Sequence, residues 1–249
     1  MASVTILGCR VDAIGADDAV RQMVALARDG AGSLVVTLGT EMIVRARSDA
    51  AFRRVINASA LSLCDTVGVL FAARLWGARL PGRVAGIDLI EPLCAALTRE
   101  GMAVYFLGSK GDTAERAARS VRARVPGLRI AGARDGYFGS ADEAALAAEI
   151  ATSGAQVVFV GLGSPRQEMF IARHLKVTTC ALGIGVGGSF DVLAGNVKRA
   201  PQLWRRFNLE WLYRLVREPT RWKRQLALPH FVWLAVGERL RARPRSEIS

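Results

Sequence analysis

A lone carboxylate follows a short apolar run in the first third of the chain. Asp65 comes directly after Leu61-Ser-Leu-Cys64, and residues 66–76 have helical character. An apolar run this short is typical of a buried strand. Ligands of open α/β sheets bind outside the carboxyl ends of the strands, so Asp65 is a candidate general base. Aspartate is also typical of a helix N-cap, and this stretch alone slightly favours that role.

Glycine-rich turns follow three of the predicted strands, at residues 107–111, 161–165 and 183–188. Glycine lets the backbone approach a ligand closely, and the N-terminus of the helix beyond offers free N–H groups to a phosphate. A tight turn would explain any one of them, but three together favour a bound nucleotide or sugar nucleotide. The predicted substrate-binding glycines are Gly108, Gly161, Gly163 and Gly185.

The spacing Gly183-x-Gly185-x-x-Gly188 also matches the dinucleotide-binding fingerprint. The match is weak because the motif follows the last predicted strand rather than the first. In addition, no acidic residue about 20 positions later ends another strand. An NAD(P)-dependent oxidoreductase is therefore the second hypothesis for the function.

Residues that could hold a metal are scarce. The chain has no Asp-x-Asp pair, so the carboxylates that usually hold a divalent ion in sugar-nucleotide enzymes are missing. Its four cysteines are scattered without a CxxC pair, and it has only two histidines, which argues against zinc. We therefore expect no metal and no cofactor. Arginines and helix N-termini would have to stabilise a departing diphosphate.

The elements that position these residues alternate between strands and helices. The hydrophobic pattern predicts strands at residues 4–7, 10–12, 33–39, 61–64, 103–108, 128–133, 156–161 and 178–183. Helices are predicted between most of them, and one begins at Ser140 with a capping box to Glu143. This order predicts a Rossmann-like α/β fold with a mostly parallel sheet and helices on both faces.

Charge divides the chain into two parts. The net charge is +12, and residues 198–249 hold 13 Lys/Arg against 4 Asp/Glu, together with four of the five tryptophans. We therefore predict a catalytic body at residues 1–197 and a basic, aromatic, helical appendage at residues 198–249. A basic appendage suggests a phosphate-rich partner, such as anionic lipid, nucleic acid or a diphosphate substrate.

The appendage has two stripes at helical spacing. One is apolar and the other is basic, and the arginines of the basic stripe are Arg214, Arg217, Arg221 and Arg224. The basic stripe is explained either by a solvated helix face or by contact with an anionic membrane surface. No nucleic-acid-binding motif is present, so we expect no nucleic acid partner. The third hypothesis is a non-catalytic binding module.

Cellular location is predicted from what the sequence lacks. The N-terminus has no basic segment followed by a long apolar run, and no window reaches the ~20 apolar residues of a spanning helix. We therefore expect a protein that is made and kept in the cytoplasm. The sequence is compatible with a homo-oligomer but does not define one.

Several motifs together resemble the WecG/TagA/CpsF family of bacterial glycosyltransferases. They include Cys64-Asp65-Thr-Val-Gly68, Leu80-Pro-Gly-Arg83, Val160-Gly-Leu-Gly-Ser-Pro165-Arg-Gln-Glu168, Gly185-Val-Gly-Gly-Ser-Phe-Asp191, Arg199-Ala-Pro201 and Glu218-Pro-Thr-Arg221. Each motif is common alone, but their order and spacing along nearly the whole chain are specific to the family.

The resemblance implies that a sugar moves from a UDP-sugar to an undecaprenyl-diphosphate-linked sugar, with inversion and without a metal. It also implies that the cytoplasmic protein is peripheral on the inner face of the cell membrane, where this reaction occurs. It implies that Asp65 is the general base and that Thr37 contacts the donor or the acceptor. Arg83, Gln167 and Asp191 would bind the substrates. From the appendage, Arg214, Arg221 and Arg224 would close the site and neutralise phosphate charge.

One position departs from the family pattern. Many members have asparagine two residues after the position of Thr37, where this chain has Gly39. The amide that could hydrogen-bond an acetamido group is therefore absent. We expect a plain hexose donor such as UDP-glucose, rather than UDP-N-acetylmannosamine, in capsule or exopolysaccharide assembly.

Overall fold

The structure is a computed structural model that describes residues 1–202, 204, 212–213 and 227–242. The strands are β1 (Ser3–Ile6), β2 (Cys9–Asp12), β3 (Ser33–Leu38), β4 (Leu61–Cys64), β5 (Ala103–Gly108), β6 (Arg129–Arg134), β7 (Val157–Gly161) and β8 (Leu182–Gly185). Strands β1 and β2 form an antiparallel hairpin. The other strands form one sheet in the order β4-β3-β8-β7-β5-β6, in which every pairing is parallel.

Helices connect the parallel strands. They are α1 (Ala16–Asp29), α2 (Thr40–Ser48), α3 (Ala50–Ala58), α4 (Val67–Leu75), α5 (Gly86–Arg99), α6 (Thr113–Arg124), α7 (Glu143–Thr152), α8 (Arg166–Thr178) and α9 (Ser189–Leu193). A further helix, α10 (Ala227–Ala242), lies in the predicted appendage. The prediction of an α/β fold with a parallel sheet between two helical layers is confirmed.

Both faces of the sheet are buried, as expected for parallel strands. On one face the strands pack against α1, α5, α6 and α9, and the large buried side chains there include Met23, Phe106 and Phe190. On the other face two clusters cover the sheet with α2, α3, α4, α7 and α8. Helix α10 joins this second layer through Phe231 and Ala235, which are both fully buried.

The β1–β2 hairpin protects the open edge of the sheet at β4. The carboxylate of Asp12 accepts a hydrogen bond from the backbone N–H of Ser62 in β4 at 2.8 Å. Arg10 pairs with Asp12 at 3.2 Å and also donates to the carbonyl of Ser59. A polar side chain therefore satisfies an N–H that an edge strand would otherwise leave exposed.

Two local predictions are wrong. The segment predicted as a strand at 178–183 begins inside α8, and the strand itself starts at Leu182. The Thr178 hydroxyl donates to the carbonyl of Leu175 at 2.7 Å, which keeps the chain helical to that point.

The predicted capping box between Ser140 and Glu143 does not form. A short 3₁₀ turn begins at Ser140, and the N–H of Gly139 donates to Asp142 at 3.1 Å. Glu143 is instead buried against His174 at 3.0 Å and Arg173 at 3.3 Å. These contacts from α8 are remote in sequence, so the local pattern could not indicate them.

Candidate active site

Thr37 and Asp65 lie at the carboxyl ends of the adjacent strands β3 and β4. Strands β3 and β4 pair with Thr37 opposite Leu63 and Leu38 opposite Cys64. The N–H of Asp65 donates to the carbonyl of Leu38 at 3.1 Å, so Asp65 leaves the strand next to β3. Helix α4 has Thr66 at its N-cap position, which places Asp65 one residue before the cap. The half-buried Asp65 carboxylate therefore occupies the ligand-binding edge of the fold.

Thr37 links three elements at this edge. It is 7% exposed, and its hydroxyl donates to the carbonyl of Gly185 in β8 at 2.9 Å. A Cβ at Gly86, the first residue of α5, would lie 3.4 Å from the Thr37 hydroxyl oxygen. The N-terminus of α5 therefore lies against Thr37 of β3 and against Val186, which follows β8. The α5 N-terminus adds a positive dipole close to the site.

Arg83 lies close to the thiol of Cys64, the residue that precedes Asp65. The loop that carries it is attached to β4 by the bond from the N–H of Val84 to the carbonyl of Cys64, at 2.6 Å. Burial raises the pKa of the Cys64 thiol to about 12, with Asp65 adding to the rise and Arg83 opposing it. Both charges are therefore close to this thiol, which is protonated and unreactive at neutral pH.

Asp88 brings a second arginine to the same place. One of its carboxylate oxygens lies 2.5 Å from an Arg199 nitrogen, and the other lies 3.9 Å from Arg83. The guanidinium groups of Arg83 and Arg199 therefore share the Asp88 carboxylate. Arg199 belongs to one of the family motifs but is not among the predicted site residues. The local pattern carried no signal for the pairing, because Asp88 and Arg199 are 111 residues apart.

The three glycine-rich turns meet at adjacent strand ends. Gly108 of β5 pairs with Gly161 of β7, and Val160 pairs with Gly185 of β8. A Cβ at Gly108, where φ is +139°, would overlap the carbonyl of Gly161. At Gly163, where φ is +75°, the space around a Cβ would be open. The glycines at 108 and 161 therefore allow the turns to pack together, and Gly163 faces open space.

Asp191 lies at the start of α9 and connects two of these turns. Its carboxylate accepts from the Ser109 hydroxyl at 3.4 Å and from the Asn196 amide at 3.2 Å. Ser109 follows Gly108 directly and has a positive φ of 57°. The predicted substrate residues therefore form two groups, on either side of β8. One contains Thr37, Asp65 and Arg83, and the other contains the β5 and β7 turns with Asp191.

Gln167 is buried beneath the turn that follows β8. It is 3% exposed, and its amide oxygen accepts from the N–H of Gly187 at 3.0 Å. Its amide nitrogen donates to Glu168 at 2.6 Å. Glu168 is fully buried, and this burial raises the pKa of its carboxyl, opposed by hydrogen bonds that include those from Gln167 and Ser164. The local sequence gives no sign that Glu168 is buried, because a glutamate in the first turn of a helix is typical of an exposed position near the positive end of the dipole.

Two of the three glycines of the dinucleotide-like spacing, Gly183 and Gly185, have packing roles. A Cβ at Gly183 would lie 2.6 Å from Ile171, and one at Gly185 would lie 2.6 Å from Gln167. Both glycines therefore let α8 pack closely against β8. In a dinucleotide fold the glycines instead form the turn into a longer helix, whereas α9 has five residues.

Three of the predicted site residues lie outside the part of the chain that the structure describes. They are Arg214, Arg221 and Arg224. Within the residues that are described, no group of three or more His, Cys, Asp or Glu side chains is arranged to hold a metal ion. In the same part of the chain, no helix has the length and apolar character needed to cross a membrane. A groove of about 530 Å³ lies near Leu7, Arg47, Arg53 and Trp233 and contains none of the predicted site residues.

Comparison with known proteins identifies the family of this chain. The model of the Glycosyl transferase WecG/TagA/CpsF family matches residues 4–245. A relative from Bacillus spizizenii is 37% identical over 214 residues, which is 86% of this chain and 82% of the relative. A relative from Bacillus subtilis (strain 168) is 37% identical over 207 residues, 83% of this chain and 80% of the relative. Both are named N-acetylglucosaminyldiphosphoundecaprenol N-acetyl-beta-D-mannosaminyltransferase. The chain therefore belongs to the WecG/TagA/CpsF family of glycosyltransferases.

Proposed function

We propose that this glycosyltransferase moves a sugar from a UDP-sugar to an undecaprenyl-diphosphate-linked sugar, in the assembly of a cell-surface polysaccharide or exopolysaccharide. The observation that carries the proposal is that the Asp65 carboxylate and the Arg83 guanidinium group both lie near Cys64, at the same carboxyl edge of the sheet from which the glycine-rich turns leave. A base next to cationic and N–H groups suits the transfer of a sugar from a diphosphate.

In this mechanism the acceptor hydroxyl attacks the anomeric carbon of the donor while Asp65 takes its proton. A new glycosidic C–O bond forms, and the bond from the anomeric carbon to UDP breaks. The proton ends on the Asp65 carboxylate, and the electron pair leaves with UDP. A single displacement from the face opposite the leaving group inverts the anomeric configuration.

The negative charge that develops on UDP requires stabilisation. Arg83 provides a guanidinium group at the site, and the N-terminus of α5 adds a positive dipole. Gly108, Gly161, Gly163, Gly185 and Asp191 are proposed to bind the nucleotide side of the donor. We further propose that Arg214, Arg221 and Arg224 complete the neutralisation, so that no metal ion is needed.

The names of the relatives guide the choice of acceptor. Both contain N-acetylglucosaminyldiphosphoundecaprenol, so we propose a lipid-diphosphate-linked N-acetylglucosamine as the acceptor of this chain. The relatives are named for N-acetylmannosaminyl transfer. We propose a plain hexose donor here because Gly39, which follows β3 directly, has no side-chain amide that could hydrogen-bond an acetamido group. Gly39 is also the N-cap residue of α2, and a Cβ there would lie 3.4 Å from the methyl group of Thr66.

The acceptor is carried by lipid, so we propose that the protein docks on the inner face of the cell membrane through its appendage. In α10, Phe231 and Ala235 are buried, whereas the Trp233 side chain is 71% exposed. An exposed tryptophan in a segment with excess positive charge is suited to the interface of an anionic membrane. Residues 198–249 carry that excess, with a net charge of +9.

The test is UDP release from a panel of UDP-sugars with a short-chain polyprenyl-diphosphate-N-acetylglucosamine acceptor, with and without EDTA. We expect release that needs the acceptor, survives EDTA and is faster with UDP-glucose than with UDP-N-acetylmannosamine. Faster turnover of UDP-N-acetylmannosamine would overturn the donor proposal alone. Loss of activity in EDTA would overturn the metal-independent mechanism. Absence of release with every donor, together with binding of NAD(H), would favour the oxidoreductase hypothesis.

A further inference from the structure

The turn after β8 lies at the centre of the candidate site. Strand β8 pairs with β3 on one side and β7 on the other, so its turn borders both groups of predicted residues. Gly187 has a φ of +54°, and a Cβ at Gly187 or at Gly188 would meet no atom within 4 Å. The backbone of this turn is therefore accessible to a ligand, and its conformation has to be maintained by other residues.

Three side chains hold the turn. Thr37 donates to the carbonyl of Gly185 at 2.9 Å, and Ser189 donates to the carbonyl of Val186 at 2.6 Å. Gln167 is the group that accepts the N–H of Gly187, at 3.0 Å. The hydrogen bond from the Gly187 N–H to Gln167 therefore fixes the position of the Gly187 backbone, the most open part of the turn.

The amide of Gln167 can accept the N–H of Gly187 in only one of its two orientations. A glutamine amide has an accepting end and a donating end, and rotating it by 180° would turn the NH₂ group toward the N–H of Gly187. The oxygen of Glu168, 2.6 Å from the Gln167 nitrogen, accepts from that NH₂ group. This acceptor favours the orientation in which the Gln167 oxygen faces Gly187.

The hydrogen-bonded side chains of Gln167 and Glu168 are shielded from water. Glu168 is fully buried and Gln167 is 3% exposed, so water has little opportunity to replace either partner. A Cβ at Gly185 would lie 2.6 Å from the Gln167 nitrogen and 3.0 Å from the Glu168 oxygen, so only glycine leaves room for the pair beneath β8. A buried carboxyl is costly unless it is hydrogen-bonded, so its presence here requires a reason beyond packing.

We infer that Glu168 is a positioning residue, which fixes the amide of Gln167 so that Gln167 holds the Gly187 N–H and keeps the turn in the shape that receives the donor diphosphate. This inference rests on the proposed function, because it assigns the turn to the donor. The part that concerns Glu168, Gln167 and Gly187 can be tested without any ligand.

The experiment measures the hydrogen-exchange rate of the Gly187 amide by NMR and the affinity for UDP by calorimetry. Glu168→Gln retains an acceptor oxygen, and Glu168→Leu removes it. In Glu168→Leu we expect Gly187 exchange to become about tenfold faster and UDP binding about tenfold weaker, as for the loss of one buried hydrogen bond. In Glu168→Gln both quantities should stay within about threefold of the wild type.

Thr178→Val is the matched control, since Thr178 is a buried polar residue at the other end of α8. It should leave both readouts unchanged. If Glu168→Leu does not fold, Glu168→Asp provides the test, because its shorter carboxyl cannot reach the Gln167 amide and should also accelerate exchange at Gly187.

Wild-type exchange at Gly187 in folded Glu168→Leu or Glu168→Asp would overturn the inference. So would a Glu168→Gln variant that behaves like Glu168→Leu. If the wild type does not bind UDP, the proposed function fails, while the exchange rates still decide whether Glu168 positions the turn.

Discussion

The hydroxyl of Thr37 donates a hydrogen bond to the carbonyl of Gly185, 2.9 Å away on the neighbouring strand. This bond joins the strand end next to Asp65 to the turn that we assign to the donor. Parallel strands bring their carboxyl ends to one edge, but a side-chain bond is needed to fix the turns that leave them. The two halves of the candidate site are therefore connected through Thr37.

Replacing Thr37 with valine removes this bond and leaves the carbonyl of Gly185 without that donor. We expect kcat/KM to fall about 5- to 30-fold, which corresponds to one or two kcal/mol. Steady-state kinetics with saturating acceptor measures the effect. Thr37→Ser keeps the hydroxyl and should retain most of the activity. Full activity in Thr37→Val would show that the bond is not needed.

Replacing Asp65 with asparagine removes the proposed base and preserves the shape of the side chain. We expect a loss of roughly 10²–10⁴-fold in kcat, the usual contribution of a general base. The circular dichroism spectrum and the melting temperature should stay near those of the wild type. The control is Asp29→Asn, which changes an exposed aspartate at the end of α1, before the amino end of β3. Near-normal turnover in Asp65→Asn would refute the assigned role.

Glu168 should affect stability in a pH-dependent manner. Burial raises the pKa of its carboxyl above the usual 4.5. A carboxyl whose pKa is raised by folding stabilises the folded state fully below its unfolded pKa, and this contribution is lost as the pH rises through the folded pKa. We therefore expect Glu168→Gln to gain stability relative to the wild type as the pH rises above 4.5.

The pH series consists of urea unfolding of both proteins at intervals from acidic to neutral pH. Because all other carboxyl groups are shared, the difference between the two curves isolates Glu168. The difference should level off once the folded pKa is passed. A difference that stays constant, or one that changes in the opposite direction, would contradict the burial-driven shift.

Asp12 should matter for stability rather than for turnover. Its 2.8 Å bond to the N–H of Ser62 attaches the β1–β2 hairpin to the edge of the sheet. Asp12→Ala should lower the free energy of unfolding by about 1–3 kcal/mol, because it leaves a buried donor unsatisfied. Asp18→Ala removes an exposed ion pair with Arg21 and should cost less than about 1 kcal/mol. Equal effects of the two changes would mean that the hairpin contact contributes little.

Strand ends were the most predictable feature of this chain. The ends of β4, β5 and β7 lie at Cys64, Gly108 and Gly161, as the sequence predicts, because an apolar run stops at each one beside a glycine or a charge. The order of the strands could not be predicted in the same way. Ser33 pairs with Leu182, and such a pairing depends on packing between distant segments rather than on a local pattern.

The candidate site was predictable in part for the same reason. Asp65 and the glycines were found because they follow apolar strands. The family resemblance predicts that Gln167 holds the sugar or diphosphate, and the structure adds that its amide bonds to Gly187 and Glu168. Neighbouring positions in the first turn of a helix give no indication of which side chain is buried. Asp88 is 111 residues from Arg199, and Gly187 is 20 residues from Gln167, so only the fold brings these partners together.

The most direct test of the central claim is the mass of the acceptor after incubation with enzyme and a UDP-sugar. Mass spectrometry of a short-chain polyprenyl-diphosphate-N-acetylglucosamine should show the addition of one sugar residue, and Asp65→Asn should abolish most of this product. An acceptor of unchanged mass with every UDP-sugar, in the presence of folded wild-type protein, would contradict the proposed transfer.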